Sequence, residues 1–223
     1  MSTRYEQTIA AELAILADRI RRVQVSCGYD YRKDIPQSIK DSYPHIHSGT
    51  HGAHHVLYGE NKYAVAAVLL PRTVYEVGIG WGISARAFMA ASGCEYFGVD
   101  SAEMGVDIAT ALSGTPGHWL QADSDDLDVF AHPAGKIDLI HIDGSHEIQH
   151  KERDVMKAIN SGAEWLLVDD CHNQAVVAGT FWAFYKHWNW GSIPYIFMEN
   201  SHSGGILFQI GARGVVTGQQ DVD

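Results

Sequence analysis

The segment GSHEIQH, residues 144–150, contains the residue types of a metal-dependent hydrolytic site. His146, Glu147 and His150 match the pattern His-Glu-x-x-His, in which two imidazoles one helical turn apart bind zinc and the glutamate activates water. Longer zinc-peptidase patterns add a glycine and a third histidine downstream, and the residues that follow here, KERDVM, contain neither. A zinc metallopeptidase is therefore a remote alternative, and the neighbouring acids favour another chemistry.

Three of these acids end two apolar runs that are predicted to be strands. Asp143 closes LIHID, and Asp169 with Asp170 closes LLVDD. The ligand crevice of an open parallel sheet lies at the carboxyl ends of its strands, so the three side chains should converge. Three carboxylates stay ionised in a small site only beside a cation, and oxygen ligands favour a hard ion such as Mg²⁺. The alternative is that these acids cap helices or contact a cofactor without metal.

A glycine-rich turn follows the first predicted strand in the segment YEVGIGWGISA. Gly78, Gly80 and Gly82 allow a tight bend and a close approach of the backbone to a ligand, with helix N–H groups facing it. Asp100 lies 22 residues after Gly78, at the end of the second predicted strand, where a carboxylate can bind both ribose hydroxyls. The spacing differs from a dinucleotide-binding Gly-x-Gly-x-x-Gly, and a simple strand-to-helix turn is the alternative.

Strands and helices must alternate to position these residues. Strands are predicted at 73–78, 95–100, 117–123, 136–143, 164–170, 193–199 and 205–211. Helices are predicted at 8–23, 84–91, 102–112, 145–160 and 174–188. This alternation predicts an α/β fold with a doubly wound, mostly parallel seven-stranded sheet, helices on both faces and a C-terminal antiparallel hairpin.

The chain divides into three predicted regions. Residues 1–70 form an N-terminal extension, 71–215 the cofactor-binding α/β domain, and 216–223 a flexible tail. The extension begins with the amphipathic helix, which is expected to pack on its own domain, with a homo-oligomer contact as the alternative. It continues through 28–59, a segment interrupted by Pro, Gly and Ser that is expected to be a polar loop or lid. The alternative is a lid that binds a metal or an acceptor. That segment holds five histidines, which are His45, His47, His51, His54 and His55.

Composition excludes several classes of protein. The 223 residues carry a net charge of −11 and 46% apolar residues, which fits one domain with a substantial core and argues against a nucleic-acid partner. No apolar run approaches the length of a membrane span. Three cysteines without CxxC spacing fit a reducing compartment, so a cytoplasmic protein is expected.

The chain resembles class I S-adenosylmethionine-dependent methyltransferases. The likeness rests on Glu76 before the glycines, the acid ending the second strand, QAD ending the third, and the terminal hairpin. It implies that Glu76, Gly78, Gly80 and Ser84 border the methionine moiety. It also implies that Asp100 binds the ribose, that Ser101 contacts the cofactor, that Asp123 and Ser124 lie near the adenine, and that Asp143 lies beside the cofactor. A nicotinamide dehydrogenase is the competing interpretation of the turn alone.

The combination of IDGSH and DD resembles the metal-dependent macrocin O-methyltransferase group over roughly residues 74–172. This resemblance implies that Asp143, Asp169 and Asp170 bind Mg²⁺ and that His146, in the first turn of a helix, is a neutral general base. The function it implies is Mg²⁺-assisted methyl transfer from S-adenosylmethionine to a hydroxyl of a sugar-like or catechol-like small molecule. A cephalosporin hydroxylase-type relative and a cofactor-binding module without activity are the alternatives.

The acceptor pocket is expected between the cofactor, the His-rich segment and the turn NSHSGG at 200–205. The segment 181–190 is rich in aromatic residues, which are expected to pack a helix against the sheet. The alternative is that Trp188 or Trp190 stacks on a ring of the acceptor.

Overall fold

The structure, a computed structural model, describes residues 4–102, 105, 107–126, 135–187, 194–198 and 204–211; residues 4–7, 50, 51 and 187 are described by their backbone alone. The helices of this described part are α1 (Arg4–Ser26), α2 (Gln37–Ser42), α3 (Gly49–Leu69), α4 (Ile83–Ser92), α5 (Ile108–Ala111), α6 (Ile148–Asn160) and α7 (Gln174–His187). Its strands are β1 (Thr73–Val77), β2 (Glu95–Asp100), β3 (His118–Gln121), β4 (Leu139–Ile142), β5 (Trp165–Val168), β6 (Tyr195–Met198) and β7 (Gly205–Gln209).

The strands form one sheet in the order β3-β2-β1-β4-β5-β7-β6. Strands β1 to β5 pair in parallel, and β7 runs antiparallel to both β5 and β6. The predicted fold class, including the terminal hairpin, is confirmed. The strand order reverses between β1 and β4, which is where an open α/β sheet forms its ligand crevice.

Side chains of each strand alternate between the two faces of the sheet. Tyr75 and Val77 of β1 belong to the core shared with α6 and α7. Val74 belongs to the core on the opposite face, which α1, α3 and α4 cover. Glu76 points to that second face because side chains two residues apart in a strand lie on the same side. Whether a buried polar residue of a strand contacts α1, α3 and α4 or instead α6 and α7 therefore depends on its position in this alternation.

The N-terminal extension is helical and shares this second core. Ile20 of α1 is buried there, and Leu13, Leu16 and Val23 pack against it, which confirms that the helix packs on its own domain. The irregular structure expected for 28–59 is wrong, because short 3₁₀ helices, α2 and the start of α3 occupy that segment. Its glycines and histidines have weak helix propensity, but tertiary burial supplies most of the stability of a protein helix.

Two further boundaries differ from the expectation. The second predicted helix, 102–112, is reduced to α5, and Ala102 has a positive φ of 61°, which is incompatible with a helix start. The helix expected at 145–160 begins at Ile148, so His146 lies in the preceding loop and not in the first turn. The predicted tail 216–223, Trp188 and Trp190 lie outside the described residues. No helix in the described ranges is long and apolar enough to cross a membrane.

Candidate active site

The glycine turn after β1 meets the end of β4. Gly78 has a φ of 86°, and a Cβ atom placed on it would lie 2.3 Å from the carbonyl oxygen of Asp143. Only glycine fits there, for reasons both of backbone conformation and of space. Gly80, at φ 50°, has open space where its Cβ would be. The turn therefore packs its first glycine against the backbone of Asp143 and leaves the second open to the crevice.

A cavity of about 710 Å³ opens above this junction, at the carboxyl ends of β1 to β4. Most of the residues that the sequence predicted for the site line it. They are Gly78, Gly80, Ser84, Asp100, Ser101, Asp123, Ser124, Asp143, His146 and Asp170. Glu76 and Asp169, which were also predicted, are fully buried and lie outside the cavity lining.

Asp100 ties the glycine turn to the end of β2. Its Oδ2 accepts hydrogen bonds from the backbone N–H groups of Ile79 and Gly80, each at 2.8 Å, and its Oδ1 accepts one from Ala102 at 2.6 Å. An ionised carboxylate has about four lone-pair sites, so acceptor capacity is left for a ligand hydroxyl. The position and the free capacity fit the ribose-binding role implied for this residue.

Glu76 is the centre of a buried hydrogen-bond network below the cavity floor. It accepts hydrogen bonds from the hydroxyls of Ser84 and Tyr96, and its Oε1 lies 2.6 Å from Nδ1 of His141. Burial, together with the charge of Glu76, raises the pKa of Tyr96 well above its ordinary value, so the phenol remains a donor. Glu76 thus holds Ser84, which does line the cavity, and has no cavity surface of its own.

Asp143 lies at the junction of the turn and the acid cluster. Its Oδ2 accepts a hydrogen bond from the Tyr58 hydroxyl at 2.6 Å. Burial raises the pKa of Asp143 well above the ordinary value, and the nearby charges of Asp169 and Asp170 raise it further. The protonated form of Asp143 is therefore favoured while those two carboxylates carry charge.

Asp169 forms a buried ion pair that the sequence did not reveal. Nζ of Lys62, on α3, lies 2.7 Å from its Oδ2, and both side chains are 0% exposed. The ammonium also lies over the ring of Tyr58, 4.1 Å from its centroid. Burial alone would raise the pKa of Asp169, but electrostatic interaction with Lys62 and His141, together with hydrogen bonds from Lys62 and the Asp170 backbone, lowers that pKa below the ordinary value. Asp169 is thus held as an anion.

Asp170 turns in the opposite direction, toward the cavity. Its backbone adopts a left-handed conformation with a φ of 57°, and its side chain lines the cavity, whereas that of Asp169 does not. Oδ2 of Asp170 lies 2.7 Å from Nε2 of His146, and its Oδ1 lies 3.7 Å from Nδ1 of His172. The His146 ring is half exposed, so it is supported by a carboxylate on one side and open to a ligand on the other. This is the arrangement of a general base oriented by an acid.

The ligand set predicted for magnesium does not assemble as one group. Among the described residues, two groups of potential ligands have atoms within 4.8 Å of one another: His141, Asp143 and Asp169, and Asp143, His146 and Asp170. No group contains all three acids, because Asp169 pairs with Lys62 beneath the cavity and Asp170 faces into it. Asp143 belongs to both groups, with His141 and Asp169 in one and with His146 and Asp170 in the other.

The zinc site suggested by HEIQH is not formed. Nε2 of His150, on α6, lies 3.6 Å from Oδ2 of Asp125, whereas His146 pairs with Asp170. Neither of the two potential ligand groups in the described part of the chain contains His150. The two histidines have separate partners because the helix begins only at Ile148, after His146.

Several cavity residues were missed by the sequence interpretation or left without a role. His54, His55 and Tyr58 of α3, Trp81 of the glycine turn and His172 line the cavity. The rings of His45, His55 and Tyr43 surround Trp81, with centroids 5.4 to 6.2 Å away. The clustering of histidines was the available signal, but the sequence did not show that His54 and His55 lie on a helix. Neither potential metal-ligand group of the described residues includes a His-rich-segment histidine, and the side chain of His51 is not described.

The aromatic helix lies elsewhere. Phe184 of α7 is buried against the sheet, while Trp182 and Tyr185 are exposed, and no described residue of 181–187 lines the cavity. Packing against the sheet, the simpler expectation, is therefore what the described residues show. Trp188, Trp190 and residues 200–203 of the expected acceptor turn lie outside the described ranges.

Comparisons with known proteins place this fold. No family model and no curated protein matches the chain. Solved structures do match: an O-methyltransferase of tomaymycin synthesis from Streptomyces achromogenes, in complex with S-adenosylmethionine, has a TM-score of 0.55 at 14% identity over 79% of this chain and 89% of that one. A methyltransferase from Podospora anserina bound to S-adenosylhomocysteine has a TM-score of 0.56 at 16% identity over 78% and 88%.

A third match is a TDP-rhamnose 3'-O-methyltransferase of calicheamicin biosynthesis, with a TM-score of 0.55 at 13% identity over 89% of this chain and 94% of that one. The class I methyltransferase fold that the sequence resemblance implied is therefore confirmed. At these identities the comparison establishes the fold, and the activity must be argued from the site.

Proposed function

We propose that the protein is an S-adenosylmethionine-dependent O-methyltransferase that acts on a hydroxyl of a small molecule. The observation that carries the proposal is the pairing of His146 with Asp170 on the wall of a cavity that the glycine turn and Asp100 also line. A base oriented by a carboxylate thus faces the site where a class I methyltransferase fold binds its methyl donor.

The cofactor would occupy the side of the cavity formed by the loops after β1, β2 and β3. Gly80 offers open space for a ligand, Asp100 has free acceptor capacity for ribose hydroxyls, and Asp123 with Ser124 lies where the adenine would be. Ser84 and Gly78 would border the methionine moiety. Glu76 contributes by fixing Ser84 and does not contact the cofactor itself.

His146 would act on the acceptor. S-adenosylmethionine supplies a methyl group on a sulfonium sulfur, and the leaving group is the neutral thioether. The acceptor oxygen forms the new bond to carbon, and its proton passes to a ring nitrogen of His146. Proton transfer to such a base contributes about 10²–10⁴-fold to a rate. The negative charge of Asp170 would stabilise the imidazolium that results.

The acceptor would lie between His146 and the helix α3. His54, His55, Tyr58 and Trp81 form that wall, which combines aromatic faces with polar ring nitrogens and a hydroxyl. Such a wall suits a ring that carries hydroxyl groups, whether a sugar or a catechol-like molecule. The sugar O-methyltransferase among the structural neighbours is consistent with this class of acceptor.

Magnesium is a further part of the proposal. Asp143 and Asp170 would hold the ion, and it would supply positive charge beside the acceptor oxygen. Water and acceptor oxygens would complete the coordination, since Mg²⁺ in proteins usually has few carboxylate ligands. Asp169 is left out of this proposed set because its Oδ2 pairs with Lys62.

Calorimetric titration of the purified protein with S-adenosylmethionine and S-adenosylhomocysteine tests the proposal first. Micromolar binding is expected for both ligands, with a clear loss of affinity in Asp100→Asn. Absence of binding would overturn the proposal. Binding without methyl transfer across a panel of hydroxylated acceptors would favour the module without activity.

His146→Ala tests the catalytic assignment once an acceptor is found. Turnover should fall by about 10²–10⁴-fold with cofactor affinity unchanged, because the ring acts on the acceptor and not on the donor. His150→Ala is the matched control, since it removes the other histidine of HEIQH, whose partner is Asp125. Equal losses in the two variants would contradict the assignment and restore the zinc interpretation.

A further inference from the structure

Three carboxylates lie at the carboxyl ends of β4 and β5, and one of them, Asp169, is fully buried. A buried ammonium group reaches it from α3, in the N-terminal third of the chain, which the sequence resemblance does not cover. Lys62 points from this helix to the sheet, and its Nζ lies 2.7 Å from Oδ2 of Asp169. Both side chains are 0% exposed, so solvent screens this pair little.

We propose that Lys62 is the resident cation of this acid cluster and that it keeps Asp169 out of metal coordination. This inference rests on the proposed methyltransferase function for its significance, but it concerns the chain's own residues. A lysine would here perform the charge balance that sequence reasoning assigned to Mg²⁺. Any divalent ion would then be confined to Asp143 and Asp170 on the cavity side.

The strand register explains why the lysine reaches this carboxylate. Glu76 of β1 pairs in register with His141 of β4, and Asp169 follows β5 on the same face of the sheet, two residues after Leu167. That face is the one that α3 covers. Asp170, one residue further along, points the other way. Asp169 therefore contacts the buried lysine, whereas Asp170 faces the cavity.

A metal ion on Asp169 would meet two obstacles. Oδ2 carries the ammonium, and a divalent ion on the buried Oδ1 would lie near that positive charge in a poorly screened interior. Moreover, Asp169 has no surface on the cavity through which an ion and its waters would enter. Oδ1 has no hydrogen-bond partner among the described residues, so it is the Asp169 atom that a metal ion would have to bind.

The test is calorimetric titration of Mg²⁺ alone into wild-type protein, Lys62→Met, and the double variant Lys62→Met with Asp169→Asn. Removing the ammonium frees Asp169 as a ligand, so Lys62→Met should bind Mg²⁺ at least tenfold more tightly than wild type. Removing both charges should return the affinity for Mg²⁺ to within about twofold of wild type. A tenfold change in affinity corresponds to about 1.4 kcal/mol. Lys186→Met, which removes an exposed lysine paired with Glu152, is the control and should leave Mg²⁺ binding unchanged.

The double variant keeps the test decisive if Lys62→Met does not fold, because it contains no unpaired buried charge. Wild-type affinity in the double variant supports the inference, whereas a tenfold or larger loss shows that Asp169 is a metal ligand and overturns it. An unchanged affinity in folded Lys62→Met overturns it as well. Titration with S-adenosylmethionine in the same experiment separates the two proposals, since its failure to bind would remove the methyltransferase function and leave the Mg²⁺ comparison valid.

Discussion

Among the glycines of the turn, Gly78 should be the one whose replacement by alanine lowers the stability of the fold and the affinity for the cofactor most. The left-handed conformation of Gly78 costs an alanine ~1–2 kcal/mol. The added Cβ would also lie 2.3 Å from the carbonyl oxygen of Asp143, which is backbone and must move. Overpacking of this kind costs ~1–3 kcal/mol, so the total loss of unfolding free energy is ~2–5 kcal/mol.

Gly93→Ala is the matched control. Gly93 has a φ of 64° at the end of α4, and its Cβ would meet no atom within 4 Å. It carries the conformational cost without the collision, ~1–2 kcal/mol. The entropic effect of alanine on the unfolded chain is the same in both variants and cancels in the comparison. The difference between the variants therefore measures the contact between the glycine turn and β4.

Thermal unfolding of the ligand-free protein measures this difference. A loss of 1 kcal/mol lowers the Tm of a chain of this size by ~2–4 °C, so Gly78→Ala should lower it by ~4–20 °C and Gly93→Ala by ~2–8 °C. Affinity for S-adenosylmethionine should fall at least ~10-fold in Gly78→Ala, about 1.4 kcal/mol, and stay unchanged in Gly93→Ala. Equal Tm values for the two variants would refute the argument that the turn is packed against Asp143.

Three other expectations follow from buried or paired groups. Burial raises the pKa of Cys171 to about 12, so alkylation by iodoacetamide at pH 8 should be far slower in the native protein than in urea, and a fast native reaction would contradict this. The hydrogen bond from Arg153 lowers the pKa of Asp125, so their pair stabilises the fold above the unfolded pKa of about 4 and loses this effect as pH falls through the lower folded value. Arg153→Gln should accordingly cost ~0.2–1 kcal/mol in urea unfolding at pH 7 and less at pH 3, and a constant cost would contradict the pairing. Tyr96→Phe should cost ~1–3 kcal/mol because Glu76 loses a buried donor, while Tyr195→Phe, at an exposed ring, serves as the control and should cost much less.

Most features on the cofactor side of this site depend on short segments of the chain, and the sequence therefore determined them. A glycine turn after an apolar strand, an acid at the end of the next strand and QAD after the third each depend on residues that are adjacent in the chain. The rule that ligands bind at the carboxyl ends of parallel strands then places Gly78, Asp100 and Asp123 around one crevice, and the structure brings them to one cavity. Strand alternation and the terminal hairpin likewise follow from short apolar runs and their spacing.

The charge balance of the acid cluster was decided by tertiary structure alone. Asp169 and Asp170 are adjacent in sequence, but Asp169 pairs with the buried Lys62 and Asp170 lines the cavity. Lys62 is 107 residues from Asp169 and lies on a helix with no clear apolar stripe, so no local pattern pointed to it. Its place follows from which face of the sheet α3 covers, and that depends on the packing of the whole core. The sequence thus determined where charge would gather, and the fold determined what neutralises it.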